Sequence, residues 1–497
     1  MSSAGSRFSR RAFVRGAGGA AVGAISARGI YEALDAMGLA APERAAAATV
    51  TRPEEQYLVT GLEKITDNGV EVVIPPIYND VITAKLAAGV KWSAGTLKSA
   101  RSRLESALRS VEEGLPPTAG GLTIVVGWGL PYFRRYVKAA WEAYGPMDVA
   151  LSQATGTQQR AVLDAIKFPS DPTDLVLEDN EVVFKLRSDS QQILKGVESA
   201  LFENKASTAY LGNLFDFTSN RKGFLGRGFG TTSAGKQLAM KAGVPGAQLI
   251  PDNSQLMLGF TSTQPAALGS GNIASFETLP GVTDQRPGTY FAAGCAMHLS
   301  HLFLDLERWY DPAKGGFDYS TRVARMFSPH DPVPADSSTV TLPNGPENVS
   351  SKEQLLGDAA QGLVGHNETL QQAARLPADT TDNYGKWRAK GTAIPIREDF
   401  NTLDNPFAWS AKPEKGIEGA SAAAGLHFAV FVPTSNAFHR ARAAMDGVLP
   451  DGTNLRTEYG ITDAQNGINA VMRATHRQNF LVPPRSRRSF PLVEFLR

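Results

Sequence analysis

The chain predicts an α+β fold made of ferredoxin-like layers, with helices covering one face of antiparallel sheets. Two observations predict it. In the first half, helical spacing, two apolar strand signals and a second helical stretch follow in the order helix, strand, strand, helix. After residue 286 strand and helix signals alternate again, which gives a second unit. Apolar residues at 42% and charged residues at 20% are ordinary for a packed globular chain, and 497 residues suffice for two or three domains.

The elements follow from local pattern. Ser93 to Glu113 has Leu97, Ala100, Leu104, Leu108 and Val111 on one helical face, and Gly114 with Pro116 and Pro117 ends it. Leu122 to Gly127 reads as a buried strand and Glu181 to Arg187 as the next. Ser188 or Asp189 then caps a helix that turns Ile193, Leu194, Val197, Ala200 and Leu201 inward. Val81 to Val90 carries few signals. Asn204 to Gln285 is rich in Gly, Ser, Thr and Asn and reads as one long loop, with Leu256 to Phe260 as a strand entering the core. Thr289 to Ala293 reads as a short strand. Cys295 to Trp309 reads as a helix with Leu299, Leu302, Phe303 and Leu306 inward. Asp358 to Arg375 is helix or ordered loop, Ile394 to Phe400 a strand, Leu426 to Val432 a strand, Ser435 to Met445 a helix and Phe480 to Val482 a strand. The division expected is a leader at 1–50, a first ferredoxin-like domain with a long loop at 51–285 and a second at 286–497.

The N-terminus reads as an export leader. Arg10-Arg11 followed by Ala12, Phe13 and Val14 matches the twin-arginine pattern, and a Gly/Ala-rich run continues to about Ala27. Ala45 to Ala48 offer a small-residue cleavage region, so the mature protein is expected outside the cytoplasm. The run is too short and glycine-rich for a stable membrane span. A formal net charge of +1 gives no reason to expect a nucleic-acid partner. Cys295 is the one cysteine, which excludes an intrachain disulfide and covalent haem attachment through paired cysteines.

The chemistry concentrates near the C-terminus. Gly-Leu-Val-Gly-His366-Asn-Glu-Thr precedes Pro-Ile-Arg397-Glu-Asp399-Phe-Asn-Thr, then Gly425-Leu-His-Phe-Ala-Val-Phe and Asn479-Phe-Leu-Val-Pro-Pro. A neutral imidazole can hold iron, and Gly362 and Gly365 let the backbone approach a flat ring. A fixed guanidinium on a following strand can stabilise negative charge on a departing oxygen, or it can sit in a surface salt bridge. Arg397 and Asp399 share one side of a strand because side chains alternate with period two. Asp399 either moves protons there or pairs with a neighbouring cation. His298, His301 and Asp305 share a face if that segment is helical, where they either hold a metal or form a solvated polar face. His427 alternates with core residues and could face outward. Asp379 to Asp382 and Lys386 to Arg388 read as an exposed insertion between His366 and Arg397.

The order and wording of these segments resemble the second half of the dye-decolourising peroxidase superfamily. The likeness is closest to a divergent exported branch that also carries Trp309-Tyr310 and Arg325-Met-Phe-Ser-Pro329. It covers roughly residues 80–497 and is strongest from Trp309 onward. The resemblance implies two ferredoxin-like domains side by side, as in a dimeric α/β barrel. It also implies non-covalent haem b with His366 as axial iron ligand, and a pocket lined by Arg397 and Phe428. The reaction implied is hydrogen peroxide-dependent oxidation of a small organic donor; the alternatives are a haem carrier with little turnover and a cofactor-free scaffold. Homo-oligomer formation stays open. Members of that family carry a Gly-x-x-Asp-Gly motif whose carboxylate moves a proton between the peroxide oxygens. Here Gly259-Phe-Thr-Ser262-Thr stands in its place, and an ordinary serine hydroxyl is a poor proton acceptor. With Ser262 there, the acid–base role falls to Asp399 if to any residue named.

Overall fold

The computed structural model describes residues 29–39, 50–67, 70–226, 232–252, 254–259, 273–319, 352–364, 374–390, 392–403, 422–449 and 451–497. Eight strands organise it: β1 (Tyr78–Leu86), β2 (Thr123–Gly129), β3 (Val182–Ser188), β4 (Phe215–Phe224), β5 (Cys295–Leu304), β6 (Phe400–Thr402), β7 (Gly425–Val432) and β8 (Met472–Val482). The first four pair antiparallel in the order β4-β1-β3-β2, with α2 (Ala94–Glu112) between β1 and β2 and α3 (Gln191–Glu198) between β3 and β4. The last four pair antiparallel as β6-β7-β5-β8, with α4 (Ser435–Met445) between β7 and β8. Each half therefore has the strand order of a ferredoxin-like layer, and the fold is α+β.

The two halves join at both edges. Phe480 and Leu481 of β8 pair with Gly129 and Trp128 of β2, and Asn401 of β6 pairs with Phe224 of β4. The ring of strands is closed. At the second seam the chains run so close that a Cβ on Gly223 would fall 2.3 Å from the Asn401 carbonyl oxygen and from the Phe400 ring. Only glycine fits there without moving backbone.

Inside the ring the facing side chains are polar and charged as often as apolar. Lys185 and Arg187 of β3 both pair with Glu398, which precedes β6. Arg221 of β4 pairs with Glu178, which also takes a hydrogen bond at 3.0 Å from His476 of β8. His427, His301 and His476 lie abreast on β7, β5 and β8, all buried. The His427 ring stacks on Phe400 at 5.0 Å. Outside the ring, α2 buries Leu97, Ala100, Leu104 and Leu108, and Ser93 caps it by accepting from the Thr96 amide.

Several expectations change. Cys295 to Leu304 is the strand β5, not a helix, and only Leu306–Tyr310 beyond it is helical. The segment is covered on both faces, by the barrel interior and by outer elements, so its apolar residues carry no period-two signature. On a strand His298 and His301 point to opposite faces, so the trio with Asp305 does not form. His427 faces the barrel interior rather than solvent. Thr289 to Ala293 and Leu256 to Gly259 are turns, the latter with buried apolar side chains. The cap of α3 is Ser190, whose side chain accepts from the Ile193 amide. Tyr78–Leu86 and Phe215–Phe224 are strands that the residue pattern did not announce. In the insertion before Arg397, Tyr384 and Trp387 are exposed as expected, but Asp382 and Arg388 form a buried ion pair. A helix, α1 (Ile30–Ala36), lies within the stretch expected to be leader and packs against the main core. No helix among the described residues is long and apolar enough to cross a membrane.

Candidate functional site

The segment before and through β6 alternates between two environments. Ile396 and Arg397 pair with Phe431 and Val430 of β7, and Phe400 pairs with His427. This unbroken register sets Asp399 opposite Phe428. Glu398 and Phe400 consequently face the barrel interior, while Arg397, Asp399 and Asn401 share the outer face with Phe428 and Val430. The sequence-predicted residues Arg397, Asp399 and Phe428 are brought together on that face.

Asp399 is the one carboxylic acid of this set. The residue is half-buried, its Oδ1 is buried without a hydrogen-bond partner among the described residues, and burial pushes its pKa up to about 7. The Arg397 charge, the Ala429 amide and Lys185 pull in the opposite direction without cancelling it. Burial likewise lowers the Arg397 guanidinium, with the Asp399 charge opposing. Arg375, bridged to Ala393, stands near enough that the Arg397 charge adds to burial in bringing it down to about 10. No spacing signal marked Arg375, because it reaches the face from a separate loop. Asn401 continues the period-two series from Arg397 and Asp399, a signal available in the sequence.

Asn401 and the Trp309-Tyr310 pair hold the same loop. Asn401 Oδ1 accepts from the Met257 amide at 2.8 Å, and its Nδ2 donates to the Gln255 carbonyl at 3.1 Å. The Trp309 indole donates to the Leu258 carbonyl at 2.9 Å and Tyr310 Oη to the Met257 carbonyl at 2.6 Å. Tyr319 Oη donates to the Gly259 carbonyl at 2.9 Å. The carbonyls of Gln255, Met257, Leu258 and Gly259 thus each have a side-chain donor, which fixes this turn against the Asn401 side of the face. Ser262, the Arg325 to Pro329 segment and His366 lie outside the described residues.

Across β7 on the same outer face, His298 pairs in register with Val430 and belongs to a second network. Its Nδ1 lies 2.7 Å from Asn479 Oδ1 and its Nε2 2.7 Å from Ser300 Oγ, with Phe438 stacked at 3.6 Å. Burial and nearby Arg477 hold its pKa well below the ordinary imidazole range, so it is neutral and structural. Among the described residues no group of three or more His, Cys, Asp or Glu side chains is placed to hold a metal ion.

Chemically, an acid that titrates near neutrality beside a guanidinium can exchange a proton and stabilise negative charge on the same ligand. The Asp399 Oδ1, without a partner among the described residues, can take or give a proton near neutral pH, and Arg397 suits an anionic oxygen. This donor set is compatible with the peroxide-facing side of a haem, and Phe428 on the same face packs against Phe438 at 5.9 Å and His298 at 6.2 Å.

Residues 86–484 match the model of a family described as a family of unknown function (DUF7405). No curated protein matches the chain. Among solved structures it is similar to DyPB from Rhodococcus jostii RHA1, at 13% identity and a TM-score of 0.45, covering 84% of this chain and 95% of that one. A DyP-type peroxidase from Cellulomonas bogoriensis matches at 15% identity and a TM-score of 0.44, covering 87% and 96%. A dye-decolorizing peroxidase from Bacteroides thetaiotaomicron VPI-5482 matches at 12% and 0.42, covering 85% and 96%.

Proposed function

The chain belongs to DUF7405, a family of unknown function, and from the geometry of its outer β6 face we propose that it is an exported, haem b-dependent oxidoreductase that uses hydrogen peroxide to oxidise an organic donor. The observation that carries the reading is the Arg397–Asp399 pair, with an acid held at about 7 and one carboxyl oxygen without a partner among the described residues. His366 would hold the iron, and Arg397 and Phe428 would line the ring. A bound haem would supply the redox chemistry.

The chain's own residues supply the rest. Asp399 Oδ1 takes a proton from peroxide, and its raised pKa matches it to work near neutral pH. Arg397 holds the negative charge that develops as the oxygens part, and its partly desolvated setting strengthens that hold. Arg375 keeps the local balance positive and so favours the anionic form of the ligand. Asn401, Trp309 and Tyr310 fix the loop that carries the chain toward Ser262, which offers no strong base. Export rests on Arg10 and Arg11, and the domain division at about residue 285 falls between β4 and β5.

The test is spectroscopic first. Protein produced with ample haem should show an intense Soret band and oxidise a dye donor only when peroxide is added. His366→Ala should lose the histidine-ligated spectrum, whereas His298→Ala and His476→Ala should keep it. A cofactor-free spectrum in the wild type, or an unchanged one in His366→Ala, overturns the assignment.

A further inference from the structure

We infer that α1 is an intramolecular ligand of the first barrel half and stays with the folded protein, so that any leader removal stops short of Gly29. The packing half of this inference stands on its own; only its processing half rests on the export reading above.

The helix is seated by specific chemistry. Ile30, Tyr31 and Leu34 are 0%, 0% and 1% exposed, and Ala33, Met37 and Leu39 pack against the same core. Tyr31 Oη donates to Asp80 Oδ1 at 2.5 Å and lies 3.1 Å from the Asn79 carbonyl, both on β1. Its ring meets Tyr78 edge-on at 5.2 Å, and Lys222 Nζ sits 5.5 Å above its face. Lys222 in turn pairs with Glu198 and lies 3.8 Å from Asp80 Oδ2. At the rim Lys195 reaches Glu32 at 3.1 Å and Asp35 at 4.0 Å.

Two carboxyls, Asp80 and Glu198, therefore share one ammonium, and the Tyr31 hydroxyl supplies the hydrogen bond to Asp80 Oδ1. Asp80 is wholly buried and burial holds its pKa up to about 7. Removing α1 would leave that carboxyl without its phenol donor at the floor of an open apolar groove. A cut at Ala45 to Ala48 would do this; a cut among the small residues between Ala17 and Ala27 would not. A helix of seven residues has no stability alone, so its order comes from this docking. The α1 segment is thus recognised as a ligand is, by one phenol in a polar socket, an apolar face and a charged rim.

The test uses the full chain expressed in a host with twin-arginine export. Intact mass and N-terminal sequencing of the exported protein should find a chain that begins at or before Gly29; a start between residues 40 and 51 overturns the inference. Where the protein resides, compared with an Arg10→Lys/Arg11→Lys variant, tests export separately, so the two failures are distinguishable. Hydrogen exchange on the same full-length protein should show amides 34–39 protected on the timescale of β1, and exchange as fast as an open peptide would overturn it. Tyr31→Phe should lower the melting temperature by a few degrees and Ile30→Asp by more. If Ile30→Asp does not fold, Tyr31→Phe and the exchange pattern still decide: unchanged melting with unprotected amides sinks the proposal.

Discussion

Glu398 and Asp399 are adjacent in sequence and opposite in fate. Glu398 points into the barrel and is gripped by Lys185 and Arg187, while Asp399 points outward with one oxygen unpartnered among the described residues. Alternating burial across the two residues that join strands Ile396–Arg397 and Phe400–Thr402 thus separates an acid that holds the two halves together from a half-buried one. Lys185 and Arg187 belong to the first half and Glu398 to the second, so the inward pair is an interface contact. The outward one belongs to the candidate site.

Substituting each in turn breaks or sharpens this contrast. Glu398→Ala leaves two buried cations without their partner and should cost about 3–5 kcal/mol, seen as a lowered midpoint in urea unfolding. Asp399→Asn should leave the midpoint near neutral pH unchanged or raised, while peroxide-dependent turnover falls by about 10²-fold or more. The sign follows from the raised pKa: the folded chain keeps a proton that the unfolded chain gives up. Asp399 therefore favours the folded state at low pH and loses that contribution as pH rises from about 4 to about 7. Turnover should run the other way, rising through about pH 7 as the carboxylate forms, and Asp399→Asn should abolish that limb. If Glu398→Ala lost activity without stability, or Asp399→Asn lost stability without activity, the assignment of the two faces would be reversed. The smallest effect belongs to Trp309→Phe, which removes one donor from the Leu258 carbonyl. It should cost about 1 kcal/mol and speed proteolytic nicking of the 254–259 turn, with little change in the pH profile.

Legibility differed from element to element within each half, for physical reasons. Ser93 to Glu112 and Ser435 to Met445 expose one face, so helical spacing survived in their residues. Tyr78–Leu86 and Phe215–Phe224 place Asn79, Thr83, Ser219 and Arg221 inside a polar barrel, so apolar alternation was absent where strands exist. Cys295–Leu304 failed for the converse reason, with apolar side chains on both covered faces. At the site, Arg397 and Asp399 were legible because they share one strand. Arg375 was not, because a loop delivers it, and the Trp309-Tyr310 pair gave no hint that its donors secure the turn at Met257 and Leu258.

The narrow seam at Asn401 and Phe224 bears on how the molecule comes apart. The Lys185–Glu398–Arg187 clasp lies just inside it, and an ion pair at about 4 Å weakens several-fold when water replaces protein around it. Once the seam admits water the clasp stops resisting, and the opening reinforces itself. The two halves should therefore yield together in a single sharp transition rather than one after the other, although each has a complete four-stranded layer of its own.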